Sequence, residues 1–150
     1  MIGFCVILIK TIFGTKHSTE TYFLRVFNDL VTASDSGSLS ILTLLDLSTA
    51  FDTIDHSILL TRLENAFGVS DLVLSFFDSY LQGRTQVPVL FILYTHPLSD
   101  VISHHSVSHH MFADDTELYK SDFPSEAFSL AQTIESCVSD VKVWVVQNKL

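Results

Sequence analysis

Two acidic points in the chain stand where carboxylates can do chemistry. Asp46 lies near the end of Ile41–Leu47 (ILTLLDL), a short continuous apolar run of the kind that forms a buried strand. Asp114 and Asp115 are adjacent between two further strand candidates, Val107–Phe112 and Thr116–Tyr119, which makes them the tip of a hairpin. Carboxylates at the ends of neighbouring buried strands repel one another, and such a cluster usually persists only when a cation neutralises it. Carboxylate oxygens suit Mg2+ or Mn2+, and Mg2+ needs only one or two of them when phosphates and water complete its shell. Two such ions about 3.5–4 Å apart clamp the attacking and leaving oxygens of a phosphoryl transfer. Turns also favour Asp for their own geometry, so the Asp114-Asp115 pair taken alone is ordinary turn chemistry.

The elements that must position these groups follow from apolar spacing. A helix is expected from Ser18, with Phe23, Val26, Phe27 and Leu30 at helical intervals, and Ser34–Ser38 is turn material. Ser57–Phe67 reads as a helix with Leu59, Leu60, Leu63 and Phe67 on one face and Gly68 as its stop. Ser70–Leu81 reads as a second, with Leu72, Phe76, Phe77 and Tyr80 inward. Pro88 opens a third, Val89 to about Val101, which Pro97 kinks or ends. Ser103–His110 is polar and turn-like, and a last helix spans about Ser125–Gln147, with Ala127, Ala131, Ile134, Val138, Val141 and Val145 as one docked face. The implied class is α+β: a small antiparallel sheet with helices packed on one face.

Bulk properties bound the rest. The chain has 150 residues, 47% hydrophobic and 17% charged, enough apolar material for one domain with its own core. Its net charge of −9 opposes nucleic-acid binding, because phosphate contacts need a basic face. Cys5 and Cys137 make no C-x-x-C spacing and no disulfide framework, so both read as small apolar residues in a reduced, intracellular setting, nucleus or cytoplasm. The apolar stretch Met1–Phe13 lacks a basic leader and a cleavage site and is too short to span a bilayer. Residues 1–16 are therefore set apart as an apolar N-terminal segment, and no membrane association is expected. His104, His105, His109 and His110 suggest zinc by composition, but zinc sites prefer fixed ligands and this stretch is turn-like. No P-loop, H-E-x-x-H, G-x-S-x-G or G-x-G-x-x-G is present.

The order of several short stretches is more specific than any one of them. LLDLSTAFDTIDH (Leu44–His56) is followed by SILLTRLENAFGV, SFFDSYLQGRTQ, LFILYTHPLSDVI and FADDTELY. This ordered series closely resembles the palm of reverse transcriptases of the non-LTR (LINE-type) retrotransposons, and the resemblance runs from about His17 to Leu150. It implies a partial reverse transcriptase domain, fingers and palm, over residues 17–150, with RNA-directed DNA polymerase activity on an RNA template, a DNA primer and dNTPs.

Carried over residue by residue, Asp46 matches the metal-binding aspartate of the family's first catalytic motif. Asp114 matches the metal-binding aspartate of its Phe/Tyr-Ala-Asp-Asp motif, and Asp115 matches the second aspartate there. Leu47 would offer a backbone carbonyl to the metal. Phe51 falls where the family places a ring beneath the incoming sugar, excluding a 2′-hydroxyl; plain core packing is its other reading. Arg84 matches a basic position that would touch template or phosphate, or else is a solvated loop arginine. Asp52, Asp55 and His56 belong to the same pattern, and the two aspartates read as caps for the following helix. The spacing of Asp46, Asp52 and Asp55 fits no single strand face, so they are not one metal cage.

The chain also departs from that pattern. Between Gln86 and Val89 the family carries a segment with a Pro-Gln-Gly core that holds template and nucleotide; here RTQ runs directly into VPVLFILY. The basic fingers are mostly absent upstream, and the sequence ends before the next palm motif and the thumb, so Lys149 is not assigned a catalytic role. Positioning groups are thus missing while metal ligands remain, which implies impaired catalysis. The alternatives are a non-catalytic interaction or structural protein that keeps the fold, and an unrelated acidic α+β protein with a divalent-metal site. The last would place Asp46 and Asp114 far apart. The sequence names no protein partner.

Overall fold

A computed structural model describes residues 17–47, 54–83 and 88–150. In chain order its elements are α1 (His17–Asp35), β1 (Leu39–Asp46), α2 (His56–Asn65), α3 (Asp71–Leu81), α4 (Pro88–Thr95), α5 (Leu98–Ser103), β2 (Ser108–Phe112), β3 (Asp115–Asp122) and α6 (Ala127–Gln147), with a short 3-10 turn at Pro124–Glu126. The strands form one antiparallel sheet in the order β1-β3-β2. The architecture is α+β, as the sequence implies, but helices cover both faces of the sheet rather than the one face expected, because each side of the strands carries apolar residues.

Alternation along the strands gives each sheet face its own cover. Ile41, Leu45, Met111 and the fully buried Leu118 turn to one side, where α5 and α6 supply Leu98, Ile102, Ile134, Cys137 and Val141. The opposite side carries Leu42, Leu44 and Asp46 of β1, Asp115, Glu117 and Tyr119 of β3, and His110 and Phe112 of β2. Here α1 lies against β1 and β3, and the Tyr119 hydroxyl donates to Asp29 of α1 at 2.9 Å.

A second apolar cluster joins α2, α3 and α4 through Leu59, Leu63, Leu81, Leu90, Phe91 and Tyr94. Asp55 starts α2 by accepting from the N–H groups of Ser57 and Ile58 at 3.0 and 3.1 Å, the capping role read from the sequence. Gly68, at φ +67, turns the chain out of α2 in a conformation that side chains disfavour. Pro97 does end the third helix: His96 before it is disfavoured in helical conformation, so α4 stops at Thr95 and α5 begins after the proline.

The two clusters meet at Leu47 and Leu150, which pack against both. Arg62 bridges them as well. Its guanidinium lies 4.6 Å from the Tyr94 ring centre and 5.3 Å from that of Trp144, and it donates to the Tyr94 carbonyl and to Asn148 Oδ1. A planar cation with several donors suits such a half-buried junction of rings and carbonyls.

Two helices are rotated from their expected faces. In α3, Leu72, Phe76 and Tyr80 face outward, Leu72 being 86% exposed and Phe76 62%. Leu74, Phe77 and Leu81 face the core instead. The helix carries two apolar stripes, and only the approach of α2 and α4 selects one. In α6 the buried row is Leu130, Ile134, Cys137, Val141 and Trp144, with Val138 and Val145 at its margin. The helix is docked, on a stripe shifted from the expected alanines and valines to Leu130, Cys137 and Trp144. Among the described side chains of α1 only Val26 is buried, while Phe23 and Phe27 are exposed.

Candidate carboxylate site at the sheet end

Asp46 is the last residue of β1, and the antiparallel register sets it opposite Asp115, the first of β3. The Leu47 N–H donates to the Asp114 carbonyl at 2.9 Å, one step further on. Hydrogen-bonded and non-hydrogen-bonded pairs alternate along such a ladder, so Asp46–Asp115 is the non-hydrogen-bonded kind, whose side chains stand closest on a common face. Phe112 closes the β2–β3 hairpin opposite Asp115, leaving Ala113 and Asp114 as a two-residue turn. Ala113 sits at φ +53, the positive value that such hairpin turns require at their first central residue and that alanine adopts only under strain.

The three aspartates named from the sequence are therefore brought to one end of the sheet. Asp46 faces Asp115 across the strands, and Asp114 occupies the turn beside Leu47. Partial burial, then the charge of Asp114, then that of Asp46 raise the Asp115 carboxyl above its ordinary value. Two residues along the same face, burial and then Asp115 do the same to Glu117. The sequence reading passed over Glu117, although its i+2 spacing from Asp115 on a strand is the signal that would have found it. It also passed over Arg62, whose role depends on rings from α4 and α6 that no local pattern connects. Phe51, Asp52 and Arg84 lie outside the described residues, as does the 1–16 segment.

The donor set fits a hard cation in a limited way. Crowded carboxylate oxygens, with Asp115 raised by burial and then by its acidic neighbours, are what a divalent ion relieves. Among the described residues, however, no three carboxylate, imidazole or thiol groups are gathered to hold an ion by themselves. That leaves the arrangement suited to Mg2+ or Mn2+ completed by substrate phosphates.

The histidines are engaged separately. His105 Nε2 pairs with Asp140 Oδ2 at 2.8 Å, His109 Nε2 with the Ser99 hydroxyl at 2.8 Å, and His104 Nδ1 with the Asp100 carbonyl at 2.6 Å. Lys149 forms an ion pair with Asp55, which is held well below the usual carboxylate range chiefly by that contact. No helix among the described residues is long and apolar enough to cross a membrane.

None of the curated proteins compared with the chain matches it. The sequence does match the reverse transcriptase (RNA-dependent DNA polymerase) family over residues 7–150, nearly its whole length, and the chain belongs to that family.

Proposed function

We propose that the chain is a palm of the non-LTR (LINE-type) class of RNA-directed DNA polymerases, with its carboxylates kept and its nucleotide addition strongly impaired. The observation that carries the reading is the register that sets Asp46 opposite Asp115, with Asp114 in the adjoining turn. Asp46 and Asp114 would hold Mg2+ or Mn2+, with Asp115 beside them and the Leu47 carbonyl as a further oxygen. Bound there, such ions would activate the primer 3′-hydroxyl and stabilise the pyrophosphate leaving group. In that transfer a bond forms between the 3′-oxygen and the α-phosphorus. The α–β phosphoanhydride breaks, and the hydroxyl proton passes to water. Phe51 would select a deoxyribose, and Arg84 would touch template or phosphate.

Impairment follows from positioning. The Gln86-to-Val89 junction lacks the Pro-Gln-Gly segment that the resemblance leads one to expect, and a net charge of −9 gives template and primer little electrostatic attraction. Orientation supplies on the order of 7–11 kcal/mol of barrier lowering in the best cases, and about 1.4 kcal/mol is a factor of ten in rate.

Primer extension with Mn2+, dNTPs and a homopolymer RNA template tests this beside an Asp114→Asn/Asp115→Asn control. No extension above the control is expected. Clear extension that the control abolishes would overturn the impairment and establish a working polymerase. Calorimetry with Mn2+ tests the carboxylates independently: weak binding, weaker still in Asp46→Asn and Asp114→Asn, is expected. Unchanged binding in both variants would place the ion elsewhere and sink the two-metal reading.

A further inference from the structure

We propose that the outward face of α3 is a docking surface for a basic amphipathic helix of a partner protein. The inference is independent of the carboxylate chemistry. Leu72, Val73, Phe76 and Tyr80 are 86%, 54%, 62% and 40% exposed, a contiguous apolar row along just over two turns of one helix. A lone exposed leucine is unremarkable on any protein surface, but a continuous row of this size marks an interaction site. The rings are already ordered: Phe76 stacks on Tyr80 at 6.2 Å between centres and meets Phe77 edge-on at 5.8 Å. Phe77 belongs to the margin of the core, so the outer rings are braced from beneath. These ring contacts lower the ordering cost when a partner covers them.

Charge selects the occupant. α3 (DLVLSFFDSYL) contains no Lys or Arg, and its two acids, Asp71 and Asp78, stand seven residues apart. At about 100° per residue Asp78 falls on one flank, separated from the apolar row by Ser75 and Ser79, and Asp71 stands at the start of the helix, at φ +53. A second copy of the chain would bring another nine net negative charges against this face, which opposes self-association. The complementary surface is a helix with apolar anchors at i, i+3/4 and i+7 and a Lys/Arg row along one border, laid against Leu72, Phe76 and Tyr80.

The test is fluorescence anisotropy of the full chain with a labelled Leu/Lys amphipathic peptide roughly five turns long. Two comparison peptides are used: one with Glu in place of Lys, and one with the same Leu/Lys composition scrambled. At about 0.15 M salt, where exposed charges are screened beyond roughly 8 Å, the amphipathic basic peptide should bind with Kd on the order of 10 μM. The other two should bind at least about tenfold more weakly. Leu72→Ser/Phe76→Ser, at exposed positions, should cost about tenfold or more; Asp71→Asn/Asp78→Asn should cost less and flatten the salt dependence. Phe23→Ser on α1, where Phe23 is 64% exposed, serves as the control and should change nothing. Equal binding of the scrambled peptide overturns the proposal, as does an equal loss in the α1 control. A dimer of the chain alone, seen by sedimentation and dissolved by Leu72→Ser/Phe76→Ser, would also overturn it by making a second copy the occupant.

Discussion

The half built on the sheet and the half built from α2, α3 and α4 are held by different forces. In the sheet half, a backbone ladder fixes the register of β1, β3 and β2, and that ladder delivers Asp46 and Asp115 to one end as a repelling pair. In the helical half, no ladder links the elements. Apolar contacts around Leu59, Phe91 and Tyr94, together with the Arg62 bridge, do that work. A hydrogen-bonded register tolerates unfavourable charge at its end because the paired backbone does not depend on those side chains. A helical cluster has no such reserve, so its stability rests on volume and shape.

The sharpest way to break this comparison is to remove one ring from each side of the helical half. Phe91→Ala, at a position with 0% exposure, should destabilise by about 3–5 kcal/mol. Phe76→Ala, at 62% exposure, should stay within about 0.5 kcal/mol. Denaturant melts of the two variants check this, and similar losses would mean that α3 packs with its other face inward.

Next in size is the junction between the halves. Asp55→Ala removes the cap of α2 and the partner of Lys149, for a loss of about 1 kcal/mol at neutral pH. Because folding depresses the Asp55 carboxyl, its contribution is present above the ordinary carboxylate value near pH 4 and fades as pH falls below it. Wild-type and variant stabilities should therefore converge in acid.

Asp115→Asn should act the other way. Folding raises this carboxyl, so its ionised form opposes folding once pH rises above the ordinary carboxylate range. The variant should melt slightly higher than the wild type at pH 7, by less than about 1 kcal/mol given its solvent exposure, and lose that advantage at low pH. A lower melting temperature at pH 7 would show that Asp115 is held by favourable contacts rather than tolerated.

The smallest effect is expected at Ala113. Glycine there relieves roughly 1 kcal/mol of left-handed strain but adds freedom to the unfolded chain, leaving a net gain of about 0.5 kcal/mol. The measurement is a melt of Ala113→Gly; a clear loss would show that alanine's methyl group packs in the turn.

Much of the molecule was legible in local pattern. The continuous apolar run before Asp46, the turn residues flanked by strand formers at Phe112–Thr116, the Asp55 cap and the stop at Pro97 each express a preference that a few neighbouring residues settle among themselves. The family, too, was legible, because an ordered series of short stretches carries more information than any one of them. Tertiary structure decided what those patterns leave degenerate. α3 offers two apolar stripes of similar strength, and contact with α2 and α4 buries Leu74, Phe77 and Leu81 rather than Leu72, Phe76 and Tyr80. α6 turned its row onto Leu130, Cys137 and Trp144, with Cys137 and Trp144 seated in the cluster formed with the sheet and α5. Register chose Asp115 rather than Asp114 to stand opposite Asp46, since pairing across strands is set by the whole ladder and not by the residues at its end. Arg62 reached Tyr94, Trp144 and Asn148 only because three distant segments meet there, and hydrophobic periodicity, which is read along one element at a time, contains nothing about such meetings.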